Sequence, residues 1–207
     1  VGSQSNTVFL NKTPGVIHRL IQGIPWLKEY IGPIDANCIV DYLGQIWFLE
    51  WTFRFGYSAL YLLLTLVPKG QLWKWILQGF DVVLQDLWVA SQTLTLHPFP
   101  HVRDSRRSRQ MVKDNLINNP FDAKGAWWLD VYKDHNGKLR CAGGDGLLGV
   151  IVGTGDDAES AIKAAHANLQ AILKAGVTGD VQYRTEQDHL EKHLERLHRL
   201  EKWKVDY

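Results

Sequence analysis

Two alternating runs separated by a short turn constrain this chain more than any other feature of its sequence. Ile34 to Tyr42 alternates in character, Leu43-Gly44-Gln45 reads as a turn, and Ile46 to Phe53 is an aromatic-rich second run. The pattern predicts an antiparallel hairpin. Because successive strand side chains point to opposite faces, Glu50, Thr52 and Arg54 share one face of the second strand, and Leu49, Trp51 and Phe53 the other. On the first strand Asp35, Asn37 and Asp41 alternate with Ala36, Cys38 and Val40, and pairing brings Asn37 toward Glu50. A carboxylate with amide and hydroxyl oxygens beside it suits magnesium, a hard cation that keeps waters and phosphates in its shell. Arg54 is placed to clamp a phosphate or to balance developing charge. The plainer reading of the same residues is an exposed cross-strand charge arrangement.

Around the hairpin, residues 11 to 30 carry helically spaced Val16, Ile17, Leu20, Ile21, Ile24 and Leu27, with Pro25 bending or ending the helix. Ser58 to Val67 reads as a buried helix stopped by Pro68, and Leu72 to Leu87 as a second helical stretch interrupted at Gly79. From His97 to Asn119 the composition turns to Pro, Arg, Ser and Asn without periodicity, so residues 91–119 are expected to be an irregular linker, with a domain boundary near 85 to 100. Beyond it, Trp127 to Lys133 and Lys138 to Ala142 flank Asp134-His135-Asn136-Gly137, an Asn-Gly hairpin signal. Leu147 to Val152 is a third strand-like run. Asp156 and Glu159 form a capping-box pair ahead of Ala158, Ile162, Ala165, Leu169, Ile172 and Leu173, and Gly176 closes that helix. A short strand is expected at Val181 to Tyr183 and an amphipathic terminal helix at Gln187 to Trp203.

Composition narrows the function classes. Lys+Arg 23 against Asp+Glu 22 leaves a formal charge of +1, so no global field steers the chain toward nucleic acid or anionic lipid, and neither is expected as a partner. The longest strongly apolar run, Ala59 to Val67, is about half of what a membrane span requires. Cys38 and Cys141 stand far apart without a CxxC or Cys/His cluster, which points to a reducing, cytoplasmic setting. The opening Val1-Gly2-Ser3, with neither Met nor a basic leader, suggests a piece of a longer protein.

Several motifs compete with the hairpin. Gly144 to Gly149 matches GxGxxG but precedes a strand, which removes the phosphate-binding mechanism. Gly153-Thr154-Gly155-Asp156-Asp157-Ala158 lies after a strand and opens a helix, as a dinucleotide-binding oxidoreductase would require, yet it sets two carboxylates where pyrophosphate would sit. A turn and helix cap explain it better. His189 and His193 stand at i, i+4 with His198 beyond, on a densely charged helix that reads as a solvated face rather than a metal site. Arg103, Arg106, Arg107 and Arg109 beside His101 form a basic patch without interleaved aromatics, read as an exposed linker or loop. The nine tryptophans, Trp73, Trp75, Trp127 and Trp128 among them, read as packing groups.

Gly32-Pro33-Ile34-Asp35-Ala36-Asn37-Cys38-Ile39-Val40 followed by Leu49-Glu50-Trp51-Thr52-Phe53-Arg54-Phe55-Gly56-Tyr57 resembles the last part of an ATP-grasp domain, that of the phosphoribosylamine-glycine ligase (glycinamide ribonucleotide synthetase) family. There the second strand reads approximately LEFNxRFGDPE, with Glu and Asn binding magnesium and ATP. Gly146-Leu147-Leu148-Gly149-Val150, then Gly155, Ala158-Glu159-Ser160-Ala161 and Gln182-Tyr183-Arg184-Thr185, resemble the same family's C-terminal domain. The resemblance implies an α+β chain: residues 1–90 as the C-terminal part of an ATP-grasp domain, and residues 120–207 as a small mixed, barrel-sandwich-like domain. It implies ATP and Mg2+ as cofactors, Leu49 and Glu50 at the nucleotide, and Glu50, Thr52 and Asn37 at the metal. Arg54 is then the catalytic cation, with Arg54, Gly56, Tyr57 and Arg184 facing the substrates. The implied activity is carboxylate–amine ligation of a glycine-like acid to a phosphoribosylamine-like amine through an acyl phosphate. The N-terminal half that supplies the phosphate-covering loop would be a partner, and this chain by itself would be inactive. The sequence departs from the pattern at Thr52, where the family has Asn, at Phe53, and at Tyr57-Ser58-Ala59, where it has Asp-Pro-Glu. Those departures motivate an alternative, a noncatalytic scaffold that has kept the fold.

Overall fold

The computed structural model describes residues 23–28, 34–41, 43, 45–55, 59–68, 70–71, 74, 85–97, 105–118, 123–144, 146–183 and 195. The helices expected at 11–30, 72–87 and 187–203 fall largely outside these residues. A 3₁₀ turn, Pro25–Lys28, stands at the end of the first of them. The described elements then run β1 (Asp35–Val40), β2 (Ile46–Thr52), α1 (Ala59–Leu66), β3 (Trp88–His97), α2 (Ser105–Val112), β4 (Leu116–Ile117), β5 (Ala126–Trp128), β6 (Val131–Lys133), β7 (Leu139–Cys141), β8 (Leu147–Gly155), α3 (Ala158–Ala175) and β9 (Asp180–Tyr183). This is a mixed α+β fold, and the strand pairs among the described residues are all antiparallel.

The chain divides into two compact units. The first carries β1 and β2, a two-stranded sheet. The second, built from Tyr61–Pro68 and Val83–Leu190, holds a four-stranded sheet in the order β5-β8-β3-β9 and a three-stranded one in the order β4-β7-β6. Its core gathers Leu94 and Leu96 from β3, Val112 from α2, Ile117, Leu139 and Cys141 from the small sheet, Leu148 and Ile151 from β8, and Leu169 and Ile172 from α3. Tyr61 of α1 meets Trp127 of β5 with ring centroids 5.7 Å apart.

Two expectations change here. Residues 91–119, expected to be irregular, contain most of β3, all of α2, and β4. Every second residue of β3 faces the core at Leu94 and Leu96, but Ser91, Gln92, Thr93 and Thr95 dilute the apolar signal that would mark a central strand. Among the described side chains of α2, Ser108 and Val112 alone turn inward among charged neighbours, so no apolar periodicity betrays the helix. The second change is small. The long helix starts as expected, but its N-cap is Asp157 rather than Asp156, with the Asp157 carboxylate accepting from Ser160 N at 2.6 Å.

Candidate functional site

The hairpin forms as its alternation predicts, and its turn is held by a residue that sequence reasoning had placed beside the chemistry. Asp41 Oδ1 accepts from the amides of Leu43 at 2.9 Å and Gln45 at 3.0 Å, while Oδ2 accepts from Trp47 Nε1 at 2.9 Å. One carboxylate thus closes the turn and fixes an indole ring.

Register decides what faces what. Asp35 stands opposite Thr52, Ala36 opposite Trp51 and Asn37 opposite Glu50, but Cys38 stands opposite Phe48, so Leu49 is an extra residue in a bulge. The bulge breaks the strict alternation expected along β2. Phe48 and Trp51, three residues apart, meet with ring centroids 4.7 Å apart. Leu49 is 58% exposed, and Phe53 rests against Trp26 at 5.4 Å. The expected single apolar face of Leu49, Trp51 and Phe53 is therefore corrected: Trp51 packs half-buried while Leu49 and Phe53 stay exposed.

Asn37, Glu50 and Thr52 do come together. Asn37 Nδ2 donates to Thr52 Oγ1 at 2.7 Å and to Glu50 Oε1 at 3.3 Å, across the two strands. Asp35 occupies the same face two residues before Asn37, a second carboxylate whose position sequence alternation marks. Asn37's amide nitrogen and oxygen exchange places on a half-turn of the group, which would present Oδ1 to the same space. The donor set is then carboxylate, hydroxyl and amide oxygen, all hard ligands of the kind magnesium takes. No group of three or more His, Cys, Asp or Glu side chains capable of holding a metal occurs among the described residues. Burial first, and the Asp35 charge second, push the Cys38 thiol up.

β2 ends at Thr52, so Arg54 lies in the bend that follows rather than on the strand's polar face. Its Nη1 donates to Phe55 O at 3.1 Å. Gly56, Tyr57 and Arg184 lie outside the described residues, as do His189, His193, His198, His101 and Arg103.

The dinucleotide-like motif has a structural explanation. A side-chain carbon on Gly153 would collide with the backbone of Ala164 and Ala165 and come within 2.6 Å of Ala161 O; one on Gly155 would come within 2.6 Å of Ala161 N. These glycines let α3 lie directly on β8. The Asp157 carboxylate already occupies the helix N-terminus, and β8 pairs antiparallel with both neighbours. A dinucleotide fold needs parallel strands and a free N-terminus for pyrophosphate; among the described residues the strand pairs are antiparallel, and this helix N-terminus is capped. Gly144 and Gly146 serve another turn, donating their amides to Asp130 Oδ1 at 2.9 Å and Oδ2 at 2.8 Å.

No family model matches the chain, and no curated protein matches it. Among solved structures, the chain is similar to the crystal structure of phosphoribosylamine–glycine ligase from Thermotoga maritima, with a TM-score of 0.56 at 20% sequence identity. The match covers 81% of this chain and 40% of that enzyme, so the chain spans two-fifths of the length of the protein it resembles. At this identity the likeness is one of fold alone: a distant, partial structural match, to which the chain's α+β architecture is broadly comparable.

Proposed function

We propose that this chain is part of an ATP-dependent carboxylate–amine ligase, with the β1–β2 hairpin forming one wall of a magnesium-nucleotide site. In this reading residues 1–90 belong to the end of an ATP-grasp domain and residues 120–207 to a small C-terminal domain. The observation that carries it is the cross-strand cluster, in which Asn37 bonds both Thr52 and Glu50. Threonine stands where the resembling family has its metal-binding Asn, and a hydroxyl is a weaker ligand than an amide oxygen. Asn37, reaching over from the neighbouring strand, returns an amide to the same place. Glu50, Thr52 and Asn37 would hold magnesium, whose charge would stabilise the nucleotide's phosphates.

Around that centre the residues of this chain bind and orient. Leu49, pushed outward by the bulge, offers apolar surface next to Glu50 for the nucleotide. Arg54, Gly56, Tyr57 and Arg184 are assigned to the phosphate and substrate side. Arg54 supplies the positive charge that a transferring phosphoryl group or an acyl phosphate requires. A glycine-like acid and a phosphoribosylamine-like amine are the proposed substrates, and a further polypeptide segment is the proposed source of the loop that covers the phosphates.

A second reading rests on one specific observation. With Thr52 in place of Asn, and Glu50 the one carboxylate among the described residues that Asn37 bonds, the hairpin would keep its shape as a noncatalytic module. Turnover separates the two. ATP hydrolysis dependent on glycine and phosphoribosylamine, measured for this chain together with a polypeptide supplying the ATP-covering half, is expected to vanish in Glu50→Gln. ATP hydrolysis unaffected by either substrate, or surviving intact in Glu50→Gln, refutes the ligase assignment; no turnover at all in a folded, assembled protein leaves the scaffold reading in its place.

A further inference from the structure

In the second unit, α2 and the residue after it carry a run of exposed cations, Arg106, Arg107, Arg109 and Lys113. Ser108 and Val112 anchor the helix, 7% and 1% exposed, and Val112 belongs to the main core. Its C-terminus is fixed as well. Lys113 N continues the helical bonding to Arg109 O at 3.0 Å, and Asn115 Nδ2 donates to the Val112 carbonyl at 2.9 Å. Gly143 removes the side chain that would otherwise strike Arg109 O and Lys113 Cβ. The helix is thus a rigid ridge, and its outward face is basic.

At 100° per residue, Arg106, Arg109 and Lys113 fall within an arc of about 60° that flanks the buried side, with Arg109 about 60° from Val112 and Arg106 about 160° from Ser108, and they span about 10 Å of axis. All three are exposed, and Arg107 stands beside them. None of them takes part in the ion pairs found among the described residues, which join His97 to Asp180, Arg140 to Asp134 and Lys163 to Glu159. This arrangement works against the helix. Like charges three and four residues apart repel. The first turn, where the helix dipole favours carboxylates, holds two arginines and no acid. A local rule broken without a compensating contact marks a surface kept for a ligand.

We propose that α2 is a docking ridge for the phosphate backbone of a double-stranded nucleic acid, engaged without regard to base sequence. The shape selects this occupant. A convex row of cations diverges, so it cannot enclose one small phosphate, but it can follow a line of them. A duplex strand rises about 3.4 Å per phosphate, so the ridge spans about three steps. A single strand would be bound with aromatic platforms as well as cations. The residues of α2 include none. Insertion into a membrane surface needs an apolar face, and the inward face of α2 is spent on the protein core, leaving Met111 as its one exposed large apolar side chain. The proposal is independent of the ligase reading, because it concerns a different surface, and it revises the expectation of no nucleic-acid partner, which rested on the net charge of the whole chain and not on a local patch.

The test is fluorescence anisotropy of a labelled 20-base-pair duplex with this chain over a series of salt concentrations. Three phosphate contacts predict a plot of log affinity against log salt with a slope of about −3. The variant Arg106→Gln/Arg109→Gln/Lys113→Gln is expected to lose at least about tenfold in affinity at low salt and nearly all of that slope. The charge-keeping variant Arg106→Lys/Arg109→Lys/Lys113→Arg is expected to keep both. Circular dichroism of the variants confirms that α2's packing face is undisturbed. The proposal is overturned by any of four results: no duplex binding at low salt, equal binding by the glutamine variant, tighter binding of the single strand than of the duplex, or binding of anionic phosphatidylserine vesicles in place of the duplex.

Discussion

Asn37 ties together the polar face of the hairpin, and its place was legible because strand alternation puts it across from Glu50. What alternation cannot disclose is the bulge at Leu49, a one-residue property of the pairing between two strands rather than of either strand's composition. The same limit applies to Asp41, whose carboxylate closes the turn rather than joining the cluster. Two other carboxylates make a prediction at this scale. Hydrogen bonding from Ser160 holds Asp157 below its ordinary value, and the Arg140 hydrogen bond does the same for Asp134. A carboxyl whose folded pKa is depressed contributes stability that is complete above its unfolded value, about 3.9, and is lost as pH falls through the lower folded value. The urea midpoint of the protein is therefore expected to fall as pH is lowered from about 5 to about 2. Asp134→Asn/Asp157→Asn should flatten that fall, and an unchanged slope in the double variant would assign acid sensitivity elsewhere.

Among the elements, α3 and β8 show how small residues set a packing distance. Gly153 and Gly155 on the strand face Ala161 and Ala165 on the helix, and Asn168 Nδ2 donates to Val152 O at 2.8 Å, so the two backbones lie in near contact. Gly153→Ala is expected to destabilise by about 1–3 kcal/mol, the usual cost of overpacking a well-filled core. Gly137, at φ 75° in the β6–β7 turn with open space around it, should accept Asn at little cost. Urea unfolding of both variants checks the contrast; equal losses would mean that backbone conformation, not close approach, governs these glycines. The α3 sequence announced itself through its apolar spacing and its Gly176 cap. By contrast β3 and α2 stayed hidden, because a strand rich in Ser, Thr and Gln and a helix rich in Arg both bury too few apolar groups to leave a periodic signal.

Over the whole molecule, three antiparallel sheets and three helices are described, and the principal core belongs to the unit that does not hold the hairpin. A two-stranded hairpin is marginal by itself, and this one leaves Ile39, Trp47 and Leu49 more than half exposed. Such a surface beside a cluster of hard oxygens is consistent with a wall completed by other groups. Binding of magnesium-nucleotide by the hairpin, as proposed, is tested by amide NMR of the isotope-labelled chain titrated with MgATP. Saturable shifts are expected at Asn37, Glu50 and Thr52 that need both magnesium and ATP, and that disappear in a folded Glu50→Gln variant. No saturable change on the hairpin at millimolar MgATP, or the same change in Glu50→Gln, would contradict it.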